Sequence, residues 1–579
     1  MFRISALTCS DSTRTEVNDL TIIVGPNSAG KSRALRDIER LLTAQDQAMT
    51  QVVKSVETIR PATRAELESS YSVKPYLDLE HGQAGFAGLG SSLSQWQFNV
   101  SLDPKAIDQL FQNALSPGGE REFYRVFGQM LIARLGTEER LTLAKRGSGS
   151  LNQGRPVTLL QALYVARSEG EANLNRLLWP SFGVHVRLDF TAPPNFVLRV
   201  GGKEIDEVPV DPRDALSIFP KFAILDEQGD GLRSFTTVLL AVDTLRRSVY
   251  LIDEPEAFLH PPQAYRLGLH LARASSDRQM IVSTHNTDML RGLLADNRPA
   301  TVARLTRVGN MNHLRVLNQE QLSNIARDPV LNSARVIDGL FYEGVVVAEA
   351  DSDRAFYETV GRRLAPDAAI HYTHAQNKQT VPRVVAAYEE IGIPVASIVD
   401  LDILRRRDEL LPLLRAHRVP ASDEHSILEA RSRLTEQIDT SVDDRYLRAR
   451  AALEELLRED ASSIADSEAR LDRLGRASEK IAYEKDPWRQ IKESGTAGFG
   501  AAKAEAEALL QQLRRWNIFL VPEGELEGWL RNTPLPRKDK RAWITAALPL
   551  LVQLEIRHDK EPWSFMQSII ESLRRVQET

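Results

Sequence analysis

The chain has 579 residues, room for roughly two to four domains of ordinary size. Hydrophobic residues make up 42% and charged residues 26%, which excludes bulk disorder and allows a core of normal size. At a net charge of -6 the chain is not a wholly basic nucleic-acid binder, so any contact with DNA or RNA has to use a local patch.

Cys9 is the lone cysteine, which excludes an internal disulfide or a cysteine zinc site and suits a reducing cytoplasm. The opening MFRISALTCSDS lacks a basic stretch followed by an apolar one, so no signal peptide is expected. No run approaches ~20 apolar residues, so no membrane helix is expected either. A cytoplasmic protein without a membrane partner is the expectation.

Residues 1–42 predict strand, turn, strand, loop and helix, with Thr21 to Val24 as a short β-branched strand. The loop, GPNSAGKS at 25–32, fits G-x-x-x-x-G-K-[ST] between a strand and a helix. Gly25 and Gly30 let backbone N–H groups close around phosphate oxygens, with Asn27, Ser28 and Ala29 between them. Lys31 brings a cation to the β- and γ-phosphates, Ser32 brings a hydroxyl to Mg²⁺, and the helix N-terminus adds donors and dipole.

From about 45 to 220 the pattern is mixed and carries no recognisable chemistry. AIDQLFQNALSP and TLLQALYVARSEGEANLNRLL predict helices, and VHVRLDF and NFVLRVGGKEI predict strands. EQGDGLRSFTTVLLAV at 227–242 then places Gly229, Gly231 and Ser234 at a helix start, where an anion can sit. VYLIDEPEAFLHP at 249–261 delivers Asp253 and Glu254 to the C-terminal end of a hydrophobic strand, the edge where open α/β sheets bind ligands. Asp253 suits Mg²⁺, through water, and Glu254 suits polarisation of an attacking water. MIVSTHNTDML at 280–290 is a third strand with His285 just past its end, suited to a γ-phosphate contact.

These pieces resemble the ABC ATPase superfamily in its SMC-like form. The resemblance implies an ATPase domain over residues 1–340, with 45–220 as an inserted dimerisation or arm region. It implies ATP sandwiched between two chains, hence a homodimer or higher even oligomer, with one chain's signature loop completing the other's site. GDGLRS stands where that family has S-G-G, so Gly231 and Ser234 become the expected contacts in trans.

A second α/β stretch begins near 341. GVVVAE, AIHYTH and PVASIVDLD alternate with the helices DSDRAFYETVGRRL and VPRVVAAYEEIG, the βαβ pattern of a parallel sheet. Residues 403–515 predict an inserted helical arm or bundle, and WNIFLVP at 516–522 resumes the sheet. Glu349, Asp351 and Asp353 follow one strand, and Asp400 and Asp402 end another. Carboxylates gathered at one edge repel unless cations neutralise them, and hard oxygen ligands suit Mg²⁺ or Mn²⁺. Two such ions can assist both oxygens of a phosphodiester cleavage. Arg405 to Arg407 could hold phosphate oxygens beside them, or simply begin the arm.

This set resembles the Toprim domain, in which a strand-end Glu precedes Gly-x-x-Asp and a later Asp-x-Asp. Glu349 and Asp353 match the first part, with Ala350 in place of the glycine, and Asp400 and Asp402 match the second. An ABC-type ATPase followed by a Toprim domain resembles the overcoming-lysogenisation-defect (OLD) family of bacterial ATP-coupled nucleases, many of which serve anti-phage defence. That resemblance implies Glu349 and Asp400 as catalytic groups and Asp353 and Asp402 as further metal ligands. It adds Glu527, or else Glu525, to the metal site, and a lysine such as Lys538 or Lys540 within PRKDKR. Its implied partners are nucleic acid, DNA ahead of RNA, and a second defence-system protein. Two other readings stand beside it: an ATP-dependent sensor whose second domain holds an effector without cleaving nucleic acid, and a DNA-repair ATPase of the SMC/RecF kind, against which no sustained heptads occur.

Overall fold

The computed structural model describes residues 2–44, 49–70, 76–78, 83–93, 97–114, 118–145, 147–148, 156, 158–192, 195–245, 247–296, 298–439, 442–458, 467–531, 533–536 and 540–578. Two compact units divide the chain, Met1–Ser323 and Asn324–Thr579.

The first unit is built on a six-stranded sheet. Its order is Met311–Leu317, Ala300–Val308, Leu20–Val24, Gln279–Ser283, Val249–Asp253 and Ile132–Leu135. All neighbours run parallel except the Met311–Leu317 edge strand, which is antiparallel. The three central strands are buried at every position. A strand covered on both faces has no solvated side, which is why these segments read as continuous apolar runs. The helix Lys31–Leu42 buries Ala34, Leu35, Ile38, Leu41 and Leu42, a stripe at helical spacing that joins the core with Ile23, Leu251 and Ile281.

Residues 45–220 contain more strand than the sequence pattern suggests. Smaller sheets pair Arg14–Glu16, Arg3–Cys9 and Val53–Ile59, and Tyr76–Asp78, Gln83–Leu89 and Gln97–Leu102. The predicted helices lie at Pro104–Asn113 and Leu159–Phe182, and the predicted strands at His185–Ala192 and Asn195–Gly201. The same stretch supplies Ile132–Leu135, the edge strand beside Val249–Asp253.

The second unit holds a four-stranded, all-parallel sheet in the order Ile370–His374, Gly344–Ala348, Val395–Val399, Ile518–Leu520. Helices Asp351–Leu364 and Val381–Glu390 make its crossovers. A core rich in aromatics, including Phe356, Tyr357, Trp543 and Phe565, forms within this unit. Between the last two strands most of the described residues are helical, from Arg407–Ala416 through Lys503–Arg514. Among the described residues, no helix is long and apolar enough to cross a membrane.

Candidate functional site

In the first unit, strand order brings the phosphate loop, the acidic pair and His285 to one sheet edge. Leu20–Val24 pairs with Gln279–Ser283, which pairs with Val249–Asp253, all in parallel, so the three C-terminal ends lie side by side. Gly25 has φ 146°, and a Cβ there would stand 2.1 Å from the Leu305 carbonyl oxygen. Gly30 has φ 95° and precedes the helix without any side-chain cap. The first helical N–H groups therefore keep their capacity for an anion. Asn27 and Ser28 are exposed, while Ala29 is buried, its carbonyl held by Asn312 at 2.7 Å.

The Lys31 ammonium donates to the carbonyls of Gly25 (2.9 Å) and Pro26 (3.0 Å), so it already lies across the mouth of the loop. Burial pushes it down from its usual range, against the pull of Glu254, Asp253 and Glu256. Ser32 donates to Asp253 Oδ1 at 3.0 Å, and Ser283 donates to the same oxygen at 2.5 Å. Two hydroxyls thus fix the carboxylate that suits Mg²⁺.

Glu254 has a positive φ of 45° and is held by its N–H to the Ser283 carbonyl (2.9 Å). A non-glycine residue there is strained and persists only where its surroundings determine it. His285 Nδ1 lies 3.0 Å from Glu254 and 3.4 Å from Glu256. The Glu254 hydrogen bond raises the imidazole above its ordinary range, and the same bond holds the Glu254 carboxyl below its own. Glu256, absent from the sequence assignment, is buried and accepts from Thr284 (2.7 Å) and the His285 N–H (3.0 Å). His285 is therefore anchored to two acids rather than free.

Of the two expected contacts in trans, Ser234 needs correction. Ser234 is fully buried and its hydroxyl accepts from Arg140 Nε at 3.1 Å, so it presents nothing to a second chain. Gly231 is part-exposed, and a Cβ there would stand 2.6 Å from the Phe258 carbonyl oxygen; its contact in trans stays an expectation. Gly229, the N-cap of helix Asp230–Thr244, still offers an outward N-terminus.

In the second unit the strands ending at Ala348 and Val399 are neighbours, as the acidic pattern requires. The Asp400 N–H donates to Glu349 Oε1 at 2.9 Å. Burial, with the charges of Asp402 and Asp353, pushes Glu349 up to about 7. Burial, with Glu349 and Asp353, pushes Asp400 well above the carboxylate range. Ala350 sits at φ −130°, an extended backbone open to any residue, and its N–H donates to Asp353 Oδ2 at 3.0 Å. Replacement of the glycine therefore costs no backbone strain here.

Lysines supply part of the neutralisation, Lys540 among those that the resemblance implied. Lys540 lies 3.3 Å from Asp353, and Lys378 lies 3.4 Å from Asp402 and 2.8 Å from Glu409. Lys492 lies 3.6 Å from Glu525, and Glu527 adds its charge to the field at Lys540. Lys378 and Lys492 escaped the sequence reading; Lys378 was findable only as a lysine just past a strand at the acidic sheet edge. Lys538 lies outside the described residues. Asp351 faces solvent and pairs with Arg354. Arg405 pairs with Asp486, and Arg406 with Asp408 and Glu409, so much of that basic run is internally balanced. Among the described residues, no three His, Cys, Asp or Glu side chains converge closely enough to hold a metal as they stand.

Residues 200–290 match a family model described as "AAA domain, putative AbiEii toxin, Type IV TA system". The match spans Gly229–Ser234, Asp253, Glu254 and His285, but not the phosphate loop. No curated protein matches the chain. Among solved structures, the SMC head bound to the C-winged helix domain of ScpA is 13% identical, at TM-score 0.33 over 55% of this chain and 99% of that one. The SMC head domain from Thermotoga maritima is 14% identical, at TM-score 0.27 over 55% and 98%. The family match likens residues 200–290 to an AAA-type ATPase domain, and the sheet edge of the first unit sets the phosphate loop beside that segment.

Proposed function

We propose that the first unit binds and hydrolyses ATP with Mg²⁺, and that the cycle controls a metal-dependent nuclease in the second unit. The observation that carries the ATPase part is the direct Ser32–Asp253 contact at adjoining strand ends, with Lys31 and an uncapped helix N-terminus beside it. Gly25 to Ser32 would hold the phosphates, and Ser32 and Asp253 would hold Mg²⁺. The ion supplies charge neutralisation at the β- and γ-phosphates. Glu254 would orient and polarise the attacking water, and His285 steadies the Glu254 carboxylate from 3.0 Å. The uncapped start of helix Asp230–Thr244 is the part of the signature-like loop available to a second chain.

The nuclease part rests on Glu349 and Asp400, two acids at adjoining strand ends that hold protons far above the usual range. Such acids gain from a divalent cation, and their oxygens fit Mg²⁺ or Mn²⁺ in kind. Asp353, Asp402 and Glu527 would complete the set as the lysines give way. This arrangement resembles the Toprim site of OLD-family nucleases, and an anti-phage role follows from that resemblance alone. Lys378, Lys492 and Lys540 suit the phosphates of a bound strand.

Plasmid DNA and single-stranded RNA, each incubated with Mg²⁺ or Mn²⁺ and with or without ATP, test the reading. Wild type should cleave one of them, and Asp400→Ala should lose cleavage while keeping ATP hydrolysis. Wild type that cleaves neither, and whose second unit binds no Mn²⁺ by calorimetry, would overturn the nuclease part in favour of an ATP-dependent scaffold.

A further inference from the structure

The segment that joins the phosphate-loop helix, the acidic pair and the signature-like helix comes from residues 132–143, a stretch with no motif. Arg140 lies at its centre with no exposed surface. Its Nη1 donates to the carbonyls of Leu135 (3.3 Å) and Asp253, its Nη2 donates to the Glu254 carbonyl at 2.8 Å, and its Nε donates to Ser234 at 3.1 Å. One guanidinium thus grips both residues of the acidic pair by their backbone and the signature-like helix by a side chain. Its planar fork suits this, because three directions are fixed at once.

The grip is reinforced from both sides. Thr237 donates to the Arg140 carbonyl at 2.8 Å, and Arg233 donates to the Leu141 carbonyl, so the helix holds the segment in return. Arg134 bridges Glu39 of the phosphate-loop helix (2.5 Å) and Glu139 (2.9 Å). Glu254, meanwhile, sits at the strained φ of 45°, a conformation that its surroundings must impose.

We propose that Arg140 is the positioning residue that sets Glu254 for hydrolysis and couples it to the outward N-terminus of helix Asp230–Thr244. Through Ser234 and Arg140 the helix is tied to the Glu254 backbone, so a shift of that helix reaches the water-polarising group. The inference rests on the ATPase reading and deepens it.

The test compares Arg140→Lys and Ser234→Ala with wild type and Glu254→Gln by steady-state ATP hydrolysis, equilibrium ATP binding and thermal unfolding. Lysine keeps the charge but cannot serve three directions, and alanine at 234 cuts only the tie to the helix. Both variants should keep ATP affinity within about threefold while kcat falls, by on the order of 10²-fold for Arg140→Lys, the scale of a slight misplacement of a catalytic group, and by about tenfold for Ser234→Ala. A purely structural role predicts that kcat and affinity fall together with folded fraction. Wild-type kcat in a folded Ser234→Ala or Arg140→Lys, or parallel loss of binding and turnover, would overturn the inference; if Arg140→Lys does not fold, Ser234→Ala decides. Failure of the underlying reading is separate: it would appear as wild-type hydrolysis in Glu254→Gln, whatever the other two do.

Discussion

Lys31 illustrates what a short motif does and does not convey. Its proposed role is legible because a phosphate cradle needs glycines and a cation at fixed local spacing, and such spacing survives in one dimension. Its contacts with the Gly25 and Pro26 carbonyls follow from the loop's curvature, which the positive φ of both glycines permits. Burial disfavours the charged ammonium more than the three nearby acids favour it, so Lys31→Ala should change thermal stability little. It should weaken ATP binding by at least about tenfold, since hydrogen bonds to charged groups contribute about 1.5–3 kcal/mol. Equilibrium binding checks this, and affinity within about threefold of wild type would remove Lys31 from the site. Arg140 and Glu256 had no comparable signal. Each acts on carbonyls or hydroxyls brought near by the fold, and an isolated Arg or a third acid in DEPE announces nothing by its neighbours.

Strands fully buried on both faces were the most legible elements, because they need apolar residues at every position. Gly344–Ala348 and Val395–Val399 have that pattern and carry their acids just beyond the last residue. The short strands within 53–102 were not legible, since edge and surface strands alternate weakly. His417, just after helix Arg407–Ala416, gives the second unit a pH signature. It is buried against Ser397 of the Val395–Val399 strand at 2.9 Å, and burial pushes it down to about 3. A base with a lowered folded value contributes full stability above its unfolded value of about 6.5 and loses it as pH falls below that. Thermal unfolding should therefore show a drop in stability between about pH 6.5 and 4, amounting to a few kcal/mol at most. His417→Gln cannot take up the proton and should flatten that limb; an unchanged limb would place the acid sensitivity elsewhere, with His371 the next candidate at about 4.

Across the whole molecule, the sequence supports two α/β units because strand–helix alternation occurs twice, interrupted by long insertions. The function proposed for each unit rests on the C-terminal edge of its sheet, where strand order sets distant residues side by side: Ser32 with Asp253, and Glu349 with Asp400. Lysine neutralisation of the second cluster was legible only at Lys540, which the resemblance implied; Lys378 and Lys492 reach it from two other segments.

The central claim is that the first unit hydrolyses ATP through Glu254. Its most direct test is ATP turnover by wild type and Glu254→Gln, with nucleotide binding measured on the same preparations. Amide in place of carboxylate keeps size and hydrogen bonding but removes the base, a contribution of about 10²–10⁴-fold. The account predicts that Glu254→Gln binds ATP as wild type does and turns it over at least about 10²-fold more slowly; turnover within about twofold of wild type would contradict it.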